Sequence, residues 1–226
     1  SMKILAVDTS SRSCSVAVVE NSGLLAEIIK EDGETHSRHL MDMIKKVFEL
    51  SGLTPFDIDC FAVTKGPGSF TGLRIGISSV KGLAAATGKP LAGISTLDAI
   101  AAQALPTPYL ICALIDARKG EVYSSRYRFI DGLIQKVTYE EVLDPEKAAD
   151  GIGERSLFIG DGAAIYRNTI EKKLGGLVCF PPPFFNVIRA STVAFMGIKK
   201  FENNETEDAA MFAPHYIRKS DVKIKT

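Results

Sequence analysis

Two loops and three carboxylates hold the residues best suited to chemistry. The first loop is DTSSRS, Asp8 to Ser13, which sets amides and hydroxyls between two strands. The second is GPGSFTG, Gly66 to Gly72, which leads from a strand into a helix. Gly66 and Gly68 permit a close backbone approach or a positive φ, and Pro67 stiffens the turn. Ser69 or Thr71 is placed to cap the helix. Amides at a helix start carry the positive end of the dipole and suit a phosphate. Asp8, Thr9, Ser10, Gly66, Gly68, Ser69 and Thr71 therefore form the candidate phosphate or nucleotide set. Asp8 and Asp116 close the first strands of the two halves, and Asp161 sits in a Gly-Asp-Gly turn. Strand-end carboxylates that face a cleft can hold Mg²⁺ for phosphoryl transfer. The plain alternative is a set of tight turns, for which Gly, Pro and Asp are ordinary residues.

Sharper signatures are missing. No Lys-Ser/Thr follows the glycines at Walker A spacing, and the loop is not GxGxxG. His36 and His39 are three apart and lack the glutamate of HExxH, and His215 stands alone. No metal site is expected. Cys14, Cys60, Cys112 and Cys179 form no CxxC pair, and three of them lie in apolar runs, so reduced core thiols are expected. No serine has a nucleophile elbow. The residues offer anion-friendly loops without a complete catalytic set.

The elements that carry these loops alternate regularly. Apolar runs predict strands at Lys3–Asp8, Cys14–Glu20 and Leu24–Asp32, an antiparallel meander. A helix over Ser37–Leu50 has a wide apolar half holding Leu40, Met41, Met43, Ile44, Val47, Phe48 and Leu50. A strand over Ile58–Gly66, the long helix after the glycine loop, a strand at Leu91–Ser95 and a helix at Leu97–Ala104 capped by Thr96 complete the first half. In the long helix, Leu73, Ile77, Val80 and Ala84 form a large apolar stripe beside a small-residue stripe of Gly72, Gly76, Ser79 and Ala86. Such a helix is pressed on two sides, by its own sheet and by either the Ser37–Leu50 helix or another chain.

After Leu105-Pro106-Thr107-Pro108 the order restarts. Strands are expected at Tyr109–Ala117, Glu121–Ile130 and Leu133–Leu143, then a helix, a strand at Ser156–Gly162 and a helix at Ala163–Leu174. The last helix spans Ala190–Glu202, ahead of a basic tail that is either solvated or bound to a partner. The expected architecture is α/β, with lobes at 1–104 and 105–226, each a mixed sheet flanked by helices, and the tail returning to the first lobe.

The 226 residues carry 27 Lys plus Arg and 27 Asp plus Glu, so there is no basic excess to grip nucleic acid alone. No apolar run is long enough to span a bilayer and no signal peptide precedes the first strand, which predicts a cytoplasmic protein.

The segments ILAVDTSSRSCSVAV, HSRHLMDMI, VTKGPGSFTGLRIGISSVKGLA, ISTLDAIA and APHYIRKSD resemble the TsaB (formerly YeaZ) family of bacterial tRNA threonylcarbamoyladenosine biosynthesis proteins. The likeness covers nearly the whole chain and is strongest over residues 3–104. It implies the two-lobed ASKHA fold of actin, sugar kinases and Hsp70. It implies a non-catalytic scaffold that activates the paralogue TsaD, with the ATPase TsaE, in modifying adenosine beside the anticodon of ANN-decoding tRNAs. TsaD carries a metal-binding HxxxH motif, whereas the matching helix here reads STLDAIAAQA. The resemblance further implies a homodimer when isolated, contact with tRNA only through the complex, and no tightly bound cofactor, with ATP or ADP at most a ligand of the complex. First-lobe helices supply the partner surface, which puts the expected interface at Leu40, Met43, Ile44, Val47, Leu73, Ile77 and Val80. A stand-alone ATP-dependent phosphotransferase of the same fold is the alternative reading, and a metallopeptidase a third.

Overall fold

The computed structural model describes residues 1–31, 38–104 and 106–217. His36 and the end of the basic tail, residues 218–226, lie outside the described residues.

The first sheet has the order β3-β2-β1-β4-β5, made from Lys3–Asp8 (β1), Ser13–Glu20 (β2), Gly23–Glu31 (β3), Cys60–Gly66 (β4) and Leu91–Ser95 (β5). β1, β2 and β3 pair antiparallel, while β4 and β5 run parallel to β1. The second sheet comprises Leu110–Asp116 (β6), Val122–Ile130 (β7), Leu133–Lys136 (β8), Glu141–Leu143 (β9), Ser156–Ile159 (β10) and Val178–Cys179 (β11). Its order is β11-β10-β6-β7-β8, with β9 also on β7. Each lobe is thus a meander followed by parallel strands, the order read from the apolar runs. Tight turns with positive φ at Asn21, and at Asp131 and Gly132, set the hairpins.

The expected strand Leu133–Leu143 is broken in two. At the break the Thr138 hydroxyl accepts the Arg126 amide at 2.8 Å, so a side chain takes the place of a ladder carbonyl. Residues 137–140 then leave the strand path, and Glu140 turns toward the first lobe.

The helices are Leu40–Ser51 (α1), Phe70–Thr87 (α2), Thr96–Ala102 (α3), Pro145–Ala148 (α4), Asp161–Ile165 (α5), Arg167–Leu174 (α6) and Ala190–Glu202 (α7). The cap of α3 is Ser95, whose Oγ accepts the Asp98 amide at 3.3 Å, and Thr96 is already helical. α3 and α7 lie between the two sheets, and one core joins Ile4, Ala6 and Ala62 to Ile111, Ala113 and Ile159 through them. Gly197 of α7 lies so close to the first sheet that a Cβ there would stand 2.9 Å from the Ala62 Cβ. Each of these central helices starts beside a carboxylate from the opposite lobe: the Ser95 hydroxyl donates to Glu140, and the Ser191 hydroxyl and amide donate to Glu27 at 2.7 and 2.9 Å.

α1 and α2 cover the other face of the first sheet. Their apolar stripes close on Leu5, Val7, Val16 and Phe61. This corrects the expected partner surface. Leu40, Met43, Ile44, Val47, Leu73, Ile77 and Val80 are all at most 7% exposed and form the chain's own core. The wide apolar half of α1 divides into an inner stripe that meets the sheet and two opposite margins, at Met41 and Leu50, which are 53% and 60% exposed.

Residues 203–217 run back along the first lobe. Leu91 and Glu207 form a bridge, Phe212 is buried in the core under α1 and α2, and the His215 amide donates to the Lys65 carbonyl at 2.7 Å.

Burial pushes the Cys60 and Cys112 thiols up to about 12. Only thiolates react readily. An aromatic disulfide reagent at pH 8 is therefore expected to titrate at most Cys179, the partly exposed thiol, in the native chain, and all four after unfolding. Rapid modification of Cys112 in the native chain would contradict the packing.

Candidate functional site

The two anion-friendly loops meet directly. Ser10 offers its carbonyl to the Ser69 amide at 2.7 Å. Thr9 Oγ1 donates to the Gly72 carbonyl at 2.6 Å. The Ser69 hydroxyl caps α2 by accepting the Gly72 amide at 3.2 Å. Asp8 is fully buried, and its Oδ1 accepts from the Ser10 amide at 3.2 Å, the Ser10 hydroxyl at 2.5 Å and the Thr64 hydroxyl at 2.6 Å.

The glycines make this junction possible. A Cβ on Gly68 would run into the Ser10 carbonyl oxygen, and one on Gly76 into Thr9 Oγ1. Gly66 has φ +117°, and a Cβ there would meet the His215 carbonyl oxygen. The loops are zipped onto each other, the return segment closes the same corner, and Asp8 faces inward rather than into an open cleft. Of the seven candidate phosphate residues, the structure gathers Asp8, Thr9, Ser10, Gly66, Gly68 and Ser69 at this junction. Thr71 is exposed on the first turn of α2 and takes no part.

Two participants escaped the reading of the residues. Thr64 anchors Asp8 from β4, and Gly76 seats Thr9. Gly76 was visible as part of a small-residue stripe, but that stripe splits. Gly72 and Gly76 face the first loop, while Ala86 faces outward beside Gly82 and Ala85, which lay outside the expected stripe, and nothing lies within 4 Å of a Cβ built on Gly82. The outward side of α2 begins with Phe70, whose ring lies under the Arg74 guanidinium at 3.9 Å and 5.1 Å from the Tyr216 ring.

In the second lobe Asp116 and Asp161 come together. The Asp116 amide donates to Asp161 Oδ1 at 2.9 Å, and burial raises the Asp161 pKa above the ordinary carboxylate range. Asp116 turns its own carboxylate onto the Arg118 amide at 3.0 Å. Both aspartates fasten turns. Among the described residues no group of three His, Cys, Asp or Glu side chains is arranged to hold a metal ion. No helix among them is long and apolar enough to cross a membrane.

The family model described as TsaD, tRNA N6-adenosine threonylcarbamoyltransferase, matches residues 23–226. The tRNA threonylcarbamoyladenosine biosynthesis protein TsaB of Bacillus subtilis is 30% identical over 227 residues, spanning 99% of this chain and 97% of its own. The chain belongs to the TsaB family. TsaB of Haemophilus influenzae is 32% identical over 228 residues, with 96% and 94% of the two chains covered. YeaZ from Pseudomonas aeruginosa superposes with a TM-score of 0.81 at 27% identity, covering 96% of this chain and all of its own. The TsaB family shares its two-sheet architecture with the wider ASKHA class, the fold that the resemblance implied.

Proposed function

We propose that the chain acts in the biosynthesis of N6-threonylcarbamoyladenosine in tRNA as a non-catalytic partner of a TsaD-type transferase. The relatives named TsaB support the pathway. The zipped loop junction supports the non-catalytic part. The groups that would hold a phosphate, Thr9, Ser10 and Ser69, already bond to one another or to Gly72 and Asp8. The junction fixes where α2 begins and so presents its outer face. TsaE joins the same assembly, tRNA is reached through it, and ATP or ADP is a ligand of the assembly at most.

The partner surface is the outer side of α1, with Met41 and Leu50 at its two margins, and the outer face of α2, with Phe70 and the small residues Gly82 and Ala85. Exposed apolar side chains beside a small-residue stripe suit close helix packing. The same surface would pair two copies of the isolated chain. A double change of Met41→Asp and Leu50→Asp should leave the circular dichroism spectrum unchanged. It should weaken binding to TsaD, measured by calorimetry, by about two orders of magnitude, since two apolar anchors are lost. Unaltered affinity in that variant would move the surface elsewhere.

A further inference from the structure

A cavity of about 750 Å³ opens where β5 of the first lobe and the central helices α3 and α7 meet the β7–β8 hairpin of the second lobe. This volume matches sites that enclose a small molecule. Its polar floor is a network across the lobes. Lys136 Nζ lies 2.9 Å from Asp98 Oδ1 and 2.8 Å from Glu140 Oε1. The Tyr127 hydroxyl donates to Asp98 at 2.6 Å, the Ser95 hydroxyl donates to Glu140, and His215 Nε2 stands 3.7 Å from Glu140 Oε2. Both carboxylates are thereby engaged within the chain.

The remaining charge in the cavity is positive. Lys65, Lys199 and Lys200 also line it, and among the described residues no carboxylate pairs with their ammonium groups. Four lysines against two carboxylates leave an excess of two positive charges. A phosphate monoester carries about two negative charges at neutral pH, which matches that excess better than a single carboxylate does. The rest of the lining is apolar and includes Ile94, Phe129, Leu133, Phe195 and Met196. Leu133 and Phe195 are 49% and 36% exposed, so this apolar surface awaits a cover. A bare inorganic anion would leave it wet, whereas an aromatic body would bury it.

We propose that this inter-lobe cavity binds a phosphate monoester that carries an aromatic ring system, with nucleoside monophosphates as the natural class. The phosphate is held by Lys65, Lys199 and Lys200, and the ring system lies against the apolar wall. The site is separate from the zipped loops, whose phosphate-binding groups are spent on one another.

The test is an amide-resolved NMR titration of the whole chain with adenosine monophosphate and with 1-naphthyl phosphate, against adenosine and inorganic phosphate as controls. Both esters should shift amides in Ile94–Asp98 and Phe129–Ile134, saturating at lower concentration than either control. The double variant Lys199→Glu, Lys200→Glu should keep the wild-type spectrum elsewhere and weaken both esters at least about tenfold, because two attractive charges become repulsive. No shift at millimolar ester, or shifts unaffected by the charge reversal, would overturn the proposal. So would inorganic phosphate binding as tightly as the esters, which would leave a bare anion site. None of these outcomes bears on the role in tRNA modification, which is read from product formation.

Discussion

Changing Val47 to aspartate should abolish folding of the chain rather than merely cut it off from a partner. Val47 has no exposed surface and packs with Leu5, Val16 and Phe61 between α1 and the first sheet. A carboxylate there has no described cationic neighbour, and burying an unpaired charge of this kind costs more than about 4 kcal/mol. That is a large share of the roughly 5–15 kcal/mol by which a domain is stable. Urea unfolding monitored by circular dichroism should find little or no native baseline. Met41→Asp, one residue beyond the buried stripe, should shift stability by less than about 0.5 kcal/mol, as exposed substitutions do. A Val47→Asp protein that stays folded and loses only its partner would mean that α1 faces outward, contrary to the packing.

Alanine at Gly66 or Gly68 should produce the second largest effect. Gly66 combines a φ of +117° with a carbonyl oxygen in the path of the new methyl. Gly68 places the methyl against the backbone of Ser10, with the Ser10 Cβ at 3.0 Å and its carbonyl carbon at 3.2 Å. Neither obstacle is a flexible side chain that could swing away, so the backbone must shift, which strains the His215–Lys65 hydrogen bond in the first variant and breaks the Ser10–Ser69 hydrogen bond in the second. The cost is about 2–4 kcal/mol, from strain and broken bonds together. For a chain of this length that lowers the melting temperature by about 5–15 °C. Calorimetry on Gly82→Ala is the control. Its site on the outer face of α2 is open, so the melting temperature should hold or rise slightly, because alanine favours helix. Equal effects at Gly68 and Gly82 would deny the loop junction any special place.

The contrast between these positions shows where the residues were informative and where they were not. Apolar runs and turn residues are short-range signals, and they placed the meanders, the parallel strands and the central helices well. The partner surface was misplaced because periodicity reports a stripe without saying what covers it. Leu73, Ile77 and Val80 form a good helical stripe whether the cover is a sheet or another protein, and here it is the chain's own sheet. The glycine loop was ambiguous for a related reason. A run of Gly, Pro and Ser satisfies a phosphate and a second backbone loop equally well, and only the fold brings Ser10 against Ser69. The inter-lobe cavity was invisible for the strongest reason. Lys65, Asp98, Lys136, Glu140 and Lys200 are scattered along the chain, come from both lobes, and share no motif.

The central claim is that this chain makes no product alone and is needed by a TsaD-type transferase. The measurement that tests it most directly is a reconstitution with TsaD and TsaE from the same organism, the threonylcarbamoyl-adenylate synthase, ATP, threonine, bicarbonate and unmodified tRNA. The modified nucleoside is quantified with the chain present, omitted, or supplied without TsaD. The account predicts product only when both the chain and TsaD are present, with loss in the Met41→Asp, Leu50→Asp variant. Full product without the chain, or product from the chain in the absence of TsaD, would contradict it.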